Sequence, residues 1–483
     1  MNKWKRIAAL AAALLAAVAL TACTAGGQTT STEAADKETA AVTSGAQTDA
    51  PAETGGAQAE KTVITIWSGA RHDYDYIQPL IDAYNKENTD NIIVKYQVYT
   101  DNYQQAVDLA IQNDELPDII SMTDTIYYKY VNEGQWADLY PYMDTGMKDY
   151  FQEVIFDGYN EIDGHLYFIP TAVSTCRLFY NKEIFDRCGI AGPPATLEEM
   201  MADARLITEQ LSGEGIYGFA QNMKSASSAL GRSVDYGIAR ETGLNQGYDF
   251  KNGVYDFSGY APTMKYWTEL LSEDCAFPGC ESLDIDPLRA QFAEGNIGMY
   301  FSYTHAEPGV YQNQFPMDSS KWDCAPIPTS DGTEAGRQNY TNSHAWSLNA
   351  KSANVDKAYQ VYRDIFTTEE YQIGYYEGGY GISPLKSVLD KAQPSVDFKT
   401  KPWLLLSDID TMLPKPPHQV NPGAVIVEGE DMYKTMESIY YGGADIESTL
   451  QDLSDRYNEA YRQGIADGAG QEIKLPDYDP MNP

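Results

Sequence analysis

The chain has 483 residues and carries 70 acidic side chains against 34 lysines and arginines, for a formal net charge of −36. This balance argues against nucleic acid and anionic lipid as partners, because binding to phosphates depends on basic residues. The 37 tyrosines and 7 tryptophans supply enough aromatic rings for stacking against flat apolar ligand faces.

The first residues predict export and lipidation. A short basic start is followed by an apolar run from Ile7 to Leu20 and then by Leu20-Thr21-Ala22-Cys23. The run is shorter than the roughly 20 residues that a membrane-spanning helix needs, so it is typical of a signal peptide. The small residues before Cys23 resemble a lipobox, which implies cleavage after residue 22 and acylation of the Cys23 thiol. An ordinary secretory signal with a chance cysteine is the alternative.

Residues 24–60 predict a flexible tether. They consist almost entirely of Ala, Gly, Ser, Thr, Gln and Glu and contain no aromatic residue. Such a composition cannot bury enough apolar surface to offset the entropy lost on ordering, so we expect a disordered linker. The body that follows is longer than one hydrophobic core usually serves, which predicts two lobes.

No local motif in the body indicates catalysis or metal binding, and we expect no cofactor. The sequence contains no phosphate-binding loop, no nucleophile elbow and no zinc-protease motif. Five cysteines follow Cys23, so at least one is unpaired within a monomer. Their pairing is left open by the sequence: Cys176, Cys188, Cys275, Cys280 and Cys324.

The body opens with alternating strands and helices. Val63–Trp67 is a β-branched run that predicts a buried strand, and Ile77, Leu80, Ile81 and Tyr84 follow at helical spacing. Further strand and helix signals recur about every 30 residues, which is typical of βαβ units and largely parallel sheets. Ligands bind at the carboxyl ends of the strands in such sheets.

Later segments continue the pattern. Thr196 and Glu199 predict a capping box, and Ile297–Phe301 predicts a strand. Tyr359 and Tyr362 belong to one amphipathic helix face, and Asp445 is the expected N-cap of a helix near the C-terminus.

Five segments together resemble the extracellular solute-binding proteins of family 1, which are lipoprotein receptors of ABC importers for sugars. The resemblance extends from Val63 to about Tyr461, and its segments occur in the order typical of that family. They are Ile64-Thr65-Ile66-Trp67-Ser68, Leu116-Pro117-Asp118-Ile119-Ile120, Gly164–Pro170 with Leu178–Lys182, Phe292–Met299, and Ala358–Phe366 with Glu377–Pro384.

The resemblance implies an α/β, two-lobed periplasmic-binding-protein-like fold of type II. Each lobe would be a mostly parallel sheet flanked by helices, with the ligand cleft at the hinge. Residues 61–172 and 327–390 would form the N-terminal lobe, and residues 173–326 and 391–483 the C-terminal lobe. Hinge closure around a carbohydrate would create the form that the membrane permease recognises.

Nine side chains are predicted ligand contacts. Trp67 would stack on a sugar face, Ser68 and Arg71 would donate hydrogen bonds, and Asp124 would accept bonds from neighbouring hydroxyls. For Trp67 the alternative is a packed core position, and for Asp124 it is capping of the helix that follows. The resemblance adds five further positions: Ser174, Ser302, Tyr303, Trp346 and Tyr380.

Three functional hypotheses remain open at this stage. The first is a sugar or oligosaccharide receptor of an ABC importer, lipid-anchored on the extracytoplasmic face and monomeric. The second is a lipid-anchored, secreted carbohydrate-active enzyme, which would need two carboxylates at a defined separation. The third is a receptor of the same fold for a solute that is not a sugar. The sequence does not identify the solute or settle the oligomeric state.

Overall fold

The computed structural model describes residues 61–99, 102–330, 332 and 336–479. The predicted signal peptide, Cys23 and the linker lie outside the described residues. The strands are β1 (Thr62–Ser68), β2 (Ile92–Val98), β3 (Ile119–Ser121), β4 (Glu161–Ile162), β5 (His165–Leu166), β6 (Ile169–Ser174), β7 (Cys176–Asn181), β8 (Tyr217–Phe219), β9 (Tyr248–Asp249), β10 (Val254–Tyr255), β11 (Ile297–Tyr303), β12 (Trp322–Ala325), β13 (Gln338–Asn339), β14 (Thr341–Leu348) and β15 (Asp410–Thr411).

The helices flank these strands and vary from single turns to a long C-terminal helix. They are α1 (Tyr74–Glu87), α2 (Tyr103–Gln112), α3 (Asp124–Tyr130), α4 (Thr145–Phe151), α5 (Lys182–Cys188), α6 (Leu197–Leu211), α7 (Ala226–Leu230), α8 (Val234–Thr242), α9 (Ala261–Leu270), α10 (Ile285–Ala293), α11 (Glu307–Gly309), α12 (Val355–Phe366), α13 (Glu369–Glu377), α14 (Lys386–Lys391), α15 (Val396–Thr400), α16 (Pro417–Val420), α17 (Met432–Tyr440) and α18 (Ile446–Ala466).

The local signals in the sequence produce the elements they predict. At the start of α6, the Thr196 side chain accepts a hydrogen bond from the Glu199 backbone, and the Glu199 carboxylate accepts one from the Thr196 backbone, so the predicted capping box is confirmed. The Asp445 side chain caps α18 by accepting from the Ser448 backbone. On α1, the predicted face carries Ile77, Ile81 and Tyr84 into the core.

A five-stranded sheet organises the first lobe in the order β2-β1-β3-β14-β6. β1 lies parallel to β2 and β3, as the βαβ pattern predicts. β14 is antiparallel to both β3 and β6, and it returns from a distant part of the chain. The sheet is therefore mixed.

A four-stranded sheet organises the second lobe in the order β12-β7-β11-β8. β11 is parallel to β8, whereas β7 is antiparallel to both β11 and β12. The expected two-lobed α/β fold is confirmed, and each sheet is mostly parallel with one reversed strand, β14 in the first sheet and β7 in the second. Strands that return to a sheet from another lobe need no βαβ crossover, so nothing forces them to be parallel.

The five cysteines after Cys23 are all unpaired. Cys176, Cys275, Cys280 and Cys324 are buried, and burial raises the pKa of each of these thiols. Within the described part of the chain, no helix is both long enough and apolar enough to span a bilayer.

Candidate functional site

The chain passes directly from the first sheet to the second at Thr175, because β6 ends at Ser174 and β7 begins at Cys176. Two later segments cross beside it. The Gln338 amide donates to the Thr175 hydroxyl and to the Cys176 carbonyl, both at 2.6 Å, and the Thr175 hydroxyl donates to the Asn339 carbonyl at 3.1 Å. β13 in turn pairs with β15. These three hydrogen-bonded crossings form the hinge.

A buried ion pair fastens the hinge. The Arg177 guanidinium donates to both carboxylate oxygens of Asp410, from Nη1 to Oδ1 at 3.0 Å and from Nη2 to Oδ2 at 2.5 Å. Its Nε donates to the Trp403 carbonyl at 3.0 Å. Both charged side chains are fully buried, so each charge depends on the other for compensation.

A cavity of about 530 Å³, counting its open mouth, lies between the lobes next to the hinge. Both lobes and two crossing segments contribute to it, and most of its lining side chains are polar. The lining residues are Asp124, Gly231, Asp235, Tyr236, Asn245, Gln246, Tyr303, Asn339, Thr341, Lys415 and Gln419.

Asp124 and Lys415 form an ion pair on one wall of the cavity. Asp124 is the first residue of α3, and the cap of that helix is Thr123, whose side chain accepts from the Ile126 backbone. The carboxylate is thus free of capping and accepts from Lys415 Nζ at 2.7 Å and from the Tyr159 hydroxyl at 2.9 Å. The Lys415 side chain is only 6% exposed.

Asp235, near the start of α8, contributes a second carboxylate to the lining. It accepts hydrogen bonds from the Tyr433 hydroxyl at 2.7 Å, the Tyr260 hydroxyl at 3.2 Å and the Gln246 amide at 3.4 Å. Burial raises the pKa of Asp235 to about 6, although these hydrogen bonds oppose the shift.

Asn245 and Gln246 hold the segment that carries Lys415. The Asn245 amide donates to the Pro414 carbonyl at 2.8 Å. Gln246 Oε1 accepts from the Gln419 amide at 2.6 Å and is 2.8 Å from His418 Nε2. Gln246 has a φ of 49°, in the left-handed region, which costs a non-glycine residue free energy and persists only where its surroundings enforce it.

Tyr303 and Tyr236 supply aromatic surface to the cavity. Their ring centroids are 6.2 Å apart in an edge-to-face arrangement. The guanidinium of Arg232 lies 5.0 Å from the centre of the Tyr303 ring, and the Tyr303 hydroxyl donates to the Gly231 carbonyl at 3.3 Å. The Tyr303 ring is therefore fixed from two sides.

Of the nine predicted contacts, Asp124 and Tyr303 line this cavity. Trp67 is half-buried at the end of β1, with its ring centroid 4.6 Å from that of Tyr99. Ser68 is buried, and its hydroxyl accepts from the Ala70 backbone at 3.0 Å. Ser174, also buried, has its hydroxyl 2.7 Å from His305 Nδ1.

Two other predicted contacts lie outside the lining of this cavity. Arg71 Nη2 donates to Asp286 Oδ2 at 2.5 Å, which joins the first lobe to α10 of the second. The Tyr380 ring is stacked on Tyr76 at 5.3 Å, and the Tyr380 carbonyl is 3.1 Å from His72 Nε2.

The placements of Trp346 and Ser302 correct the expectation for both residues. Trp346 is 1% exposed within the first lobe, stacked on Phe366 at 4.6 Å, and its Nε1 donates to the Tyr371 hydroxyl at 3.3 Å. Ser302 is fully buried in β11, and its hydroxyl has no hydrogen-bond partner among the described residues. Neither side chain lines the cavity, and residues on both faces of β14 and β11 are buried at these positions.

Sequence reasoning missed several residues of the cavity and the hinge. Lys415, Asp235 and Gln246 line the cavity, and Arg177 and Asp410 fasten the hinge. The one signal that could have drawn attention to Lys415 is its position in Leu413-Pro414-Lys415-Pro416-Pro417, where prolines fix a charged side chain on a stiff segment.

The cavity combines a carboxylate acceptor, an ammonium donor, amides that both donate and accept, and an aromatic face. It can bind a polar solute enclosed between two lobes. Within the described part of the chain, no group of three or more His, Cys, Asp and Glu side chains is placed to hold a metal ion.

A two-lobed fold with a polar cavity at its hinge defines a ligand-binding protein. The model of the bacterial extracellular solute-binding protein family matches residues 68–373. The chain belongs to this family, and its location is therefore extracytoplasmic.

Relatives and solved structures agree with this assignment. A binding protein of Brucella abortus is 24% identical over 346 residues, which is 67% of this chain and 75% of that protein. The melibiose/raffinose/stachyose-binding protein MelE of Bacillus subtilis is 29% identical over 231 residues, 46% of this chain and 50% of MelE. The solved GacH receptor of Streptomyces glaucescens shares the fold with a TM-score of 0.67, at 18% identity, over 83% of this chain and 99% of that one.

Proposed function

We propose that this chain is the substrate-binding lipoprotein of an ABC importer, which captures a carbohydrate between its lobes and delivers it to a membrane permease. The observation that carries the proposal is the polar cavity at the hinge, where Asp124 of the first lobe meets Lys415 of a crossing segment. A solute held there would contact both sides of the cleft and so stabilise the closed form.

The chemistry of the lining suits hydroxyl groups. The Asp124 carboxylate accepts hydrogen bonds, Lys415 donates them, and the side chains of Asn245 and Gln246 do both. The Tyr303 ring adds an apolar face of the kind on which a sugar ring stacks. MelE is named for binding three sugars, and the GacH receptor was solved with acarbose, so carbohydrate is the favoured class.

The proposal includes the lobe division and the anchor. Residues 61–172 with 327–390, and residues 173–326 with 391–483, would move as two bodies about the hinge. Acylated Cys23 and the linker would tether a monomeric receptor to the extracytoplasmic face of the cell membrane, within reach of the permease.

A thermal-shift screen tests the proposal. The chain is heated with a panel of mono- and oligosaccharides, amino acids, peptides and polyamines at pH 7.5. A solute that binds only the folded protein raises its Tm by mass action. We expect a shift with one class of sugar and no consumption of that sugar. Shifts confined to amino acids, peptides or polyamines would overturn the carbohydrate assignment and favour a receptor for another solute.

The enzyme hypothesis is tested in the same samples. Asp124 and Asp235 both line the cavity, and a glycosidase would need such a pair of carboxylates. In the receptor, the hydrogen bonds that each carboxylate already accepts hold it in place for binding. Release of shorter sugars or reducing ends during incubation would identify an enzyme.

The variant Lys415→Met tests whether this cavity is the solute-binding site. Loss of a hydrogen bond from a charged donor is expected to weaken sugar binding by about 1.5–3 kcal/mol, measured by calorimetry. Lys386→Met is the matched control, because Lys386 is 75% exposed and pairs with Asp390 on the surface of α14. Equal affinities of the two variants would remove Lys415 from the binding site.

A further inference from the structure

The lobes touch a second time along the rim of the cleft, which begins beside the hinge where the Thr304 backbone donates to the Thr175 carbonyl at 2.9 Å. Besides the Arg71–Asp286 ion pair, the backbone around Gly309 packs against Gly379. A Cβ added to Gly309 would lie 2.8 Å from the Gly379 carbonyl oxygen, so the two backbones approach as closely as glycine allows. The rim is thus a close contact between the two lobes.

Two histidines face each other across this rim. His72 precedes α1 in the first lobe, and His305 follows β11 in the second. Their ring centroids are 5.8 Å apart. His72 Nε2 is 3.1 Å from the Tyr380 carbonyl, and His305 Nδ1 is 2.7 Å from the Ser174 hydroxyl, so each ring is held in its own place.

The surroundings of His305 disfavour a positive charge. Burial lowers the pKa of His305 well below its ordinary value, and His72, Arg289, Arg232 and His344 add to the effect in that order. His72 approaches from the first lobe and Arg289 from α10. Arg232 approaches from the loop after α7 and His344 from β14.

The neighbouring carboxylates are already engaged and offer His305 little compensation. Glu307, fully buried, accepts from Arg289 Nε at 3.0 Å. Asp286 pairs with Arg71 and with Arg289. Asp73 Oδ2 accepts from the Tyr375 hydroxyl at 3.0 Å and lies 3.4 Å from His344 Nδ1, while Asp73 Oδ1 has no hydrogen-bond partner among the described residues. A proton on His305 in the closed form would therefore add to a cluster of cations.

We propose that the opposed rings of His72 and His305 make closure of the cleft pH-dependent, so that mild acid opens the lobes and releases the solute. As a regulation of the binding site, this inference rests on the proposed function for its physiological meaning. The lobe motion itself is a property of the chain and can be measured without any solute.

The sign of the effect follows from linkage. In the open form the His305 ring meets water, where an unperturbed histidine has a pKa of about 6.5. In the closed form the pKa is lower, so the open form takes up the proton. Closure is fully favoured above pH 6.5 and loses about tenfold in its equilibrium constant for each pH unit below it, as long as the closed form stays unprotonated.

Hydrogen–deuterium exchange of the full chain, without solute, tests this inference at pH 7.5 and 5.5. Protection factors are used, because they correct for the pH dependence of chemical exchange. In the wild type we expect protection of residues 307–310 and 376–380 to fall by up to about tenfold on acidification. Residues 178–181 of β7, which pair with β11 and β12 inside the second sheet, serve as the internal reference and are expected to keep their protection.

His305→Gln keeps a polar side chain that never gains a proton, so its rim protection is expected to be the same at both pH values. Asp235, whose pKa is about 6, is unchanged in that variant and cannot account for a difference. His165→Gln is the matched control: His165 pairs with Asp138 on the exposed surface of the first lobe, and this variant is expected to follow the wild type.

Three results would overturn the inference: equal rim protection of the wild type at both pH values, a rim that is unprotected even at pH 7.5, or an equal loss in His305→Gln. If that variant does not fold, His72→Gln makes the same test from the other lobe, with a smaller fall expected. Failure of the sugar screen at pH 7.5 would leave all of these readouts intact, so the two proposals fail separately.

Discussion

The hinge and the rim join the same two lobes with charged side chains, but they differ in their contact with water. At the hinge, Arg177 and Asp410 are both fully buried. At the rim, the side chains of Arg71 and Asp286 are 62% and 32% exposed. Water can replace either partner at the rim. At the hinge, separating Arg177 from Asp410 would leave two buried charges without compensation. From this difference we expect opening of the lobes to pivot on the first pair and to break the second.

The largest expected effect comes from breaking the hinge pair. Arg177→Met leaves the Asp410 charge buried without compensation and is expected to lower the free energy of unfolding by about 3–5 kcal/mol in urea titrations. Arg177→Met with Asp410→Leu removes both charges and is expected to recover most of the loss. A single variant as stable as the wild type would mean that water reaches the hinge.

Substitutions of two tryptophans test which ring packs in the core and which lies at the surface of the cleft. Trp346→Ala is expected to cost about 3–5 kcal/mol of unfolding free energy, because a buried ring leaves a cavity. Trp67→Ala is expected to keep the fold and to weaken sugar binding by about 1–3 kcal/mol, if its half-buried ring stacks on the solute. Unchanged affinity in a folded Trp67→Ala protein would place the ring outside the binding site.

Asp235 lies on the cleft wall, and the pH dependence of stability tests how strongly burial affects a carboxylate there. Its folded-state pKa of about 6 lies above the unfolded value, so its stabilising contribution is present at low pH and is lost as pH rises through 6. Between pH 7 and pH 4 the wild type is expected to gain about 2 kcal/mol relative to Asp235→Asn, measured by urea unfolding at each pH. Parallel profiles would contradict the raised pKa.

The smallest effect is expected at the rim. Arg71→Gln breaks an exposed ion pair and is expected to change the unfolding free energy by less than about 1 kcal/mol. Raising the salt concentration should shrink the difference between variant and wild type further, because exposed charges are screened. A cost as large as that of Arg177→Met would remove the distinction between the two ends of the cleft.

Much of the fold could be predicted because its signals are local. A β-branched run predicts β1, helical spacing predicts α1 and α12, and a four-residue motif predicts the start of α6. β14 was not predicted, since its first half, Thr341-Asn342-Ser343-His344, is polar and its partners are β3 and β6, each more than a hundred residues away in sequence. That long-range pairing also makes the sheets mixed.

The site was harder to predict for the same reason. Asp124 could be found because it follows a strand end in a recognisable βαβ unit. Lys415 lies in an irregular segment, and contacts from distant residues, such as the Asn245–Pro414 hydrogen bond, bring it to Asp124. The family resemblance predicts Trp346 in the cleft. The direction of its side chain depends on the register of β14, which a single sequence does not reveal.

The unpaired cysteines have a consequence for how this exported chain matures. Among the described residues all five thiols are unpaired, and the four buried ones have raised pKa values, so little thiolate is available to attack a disulfide or an oxidant. No disulfide among the described residues therefore has to form for the body to reach this arrangement. The same body should reach its native state in a reducing cytoplasm as readily as outside the cell.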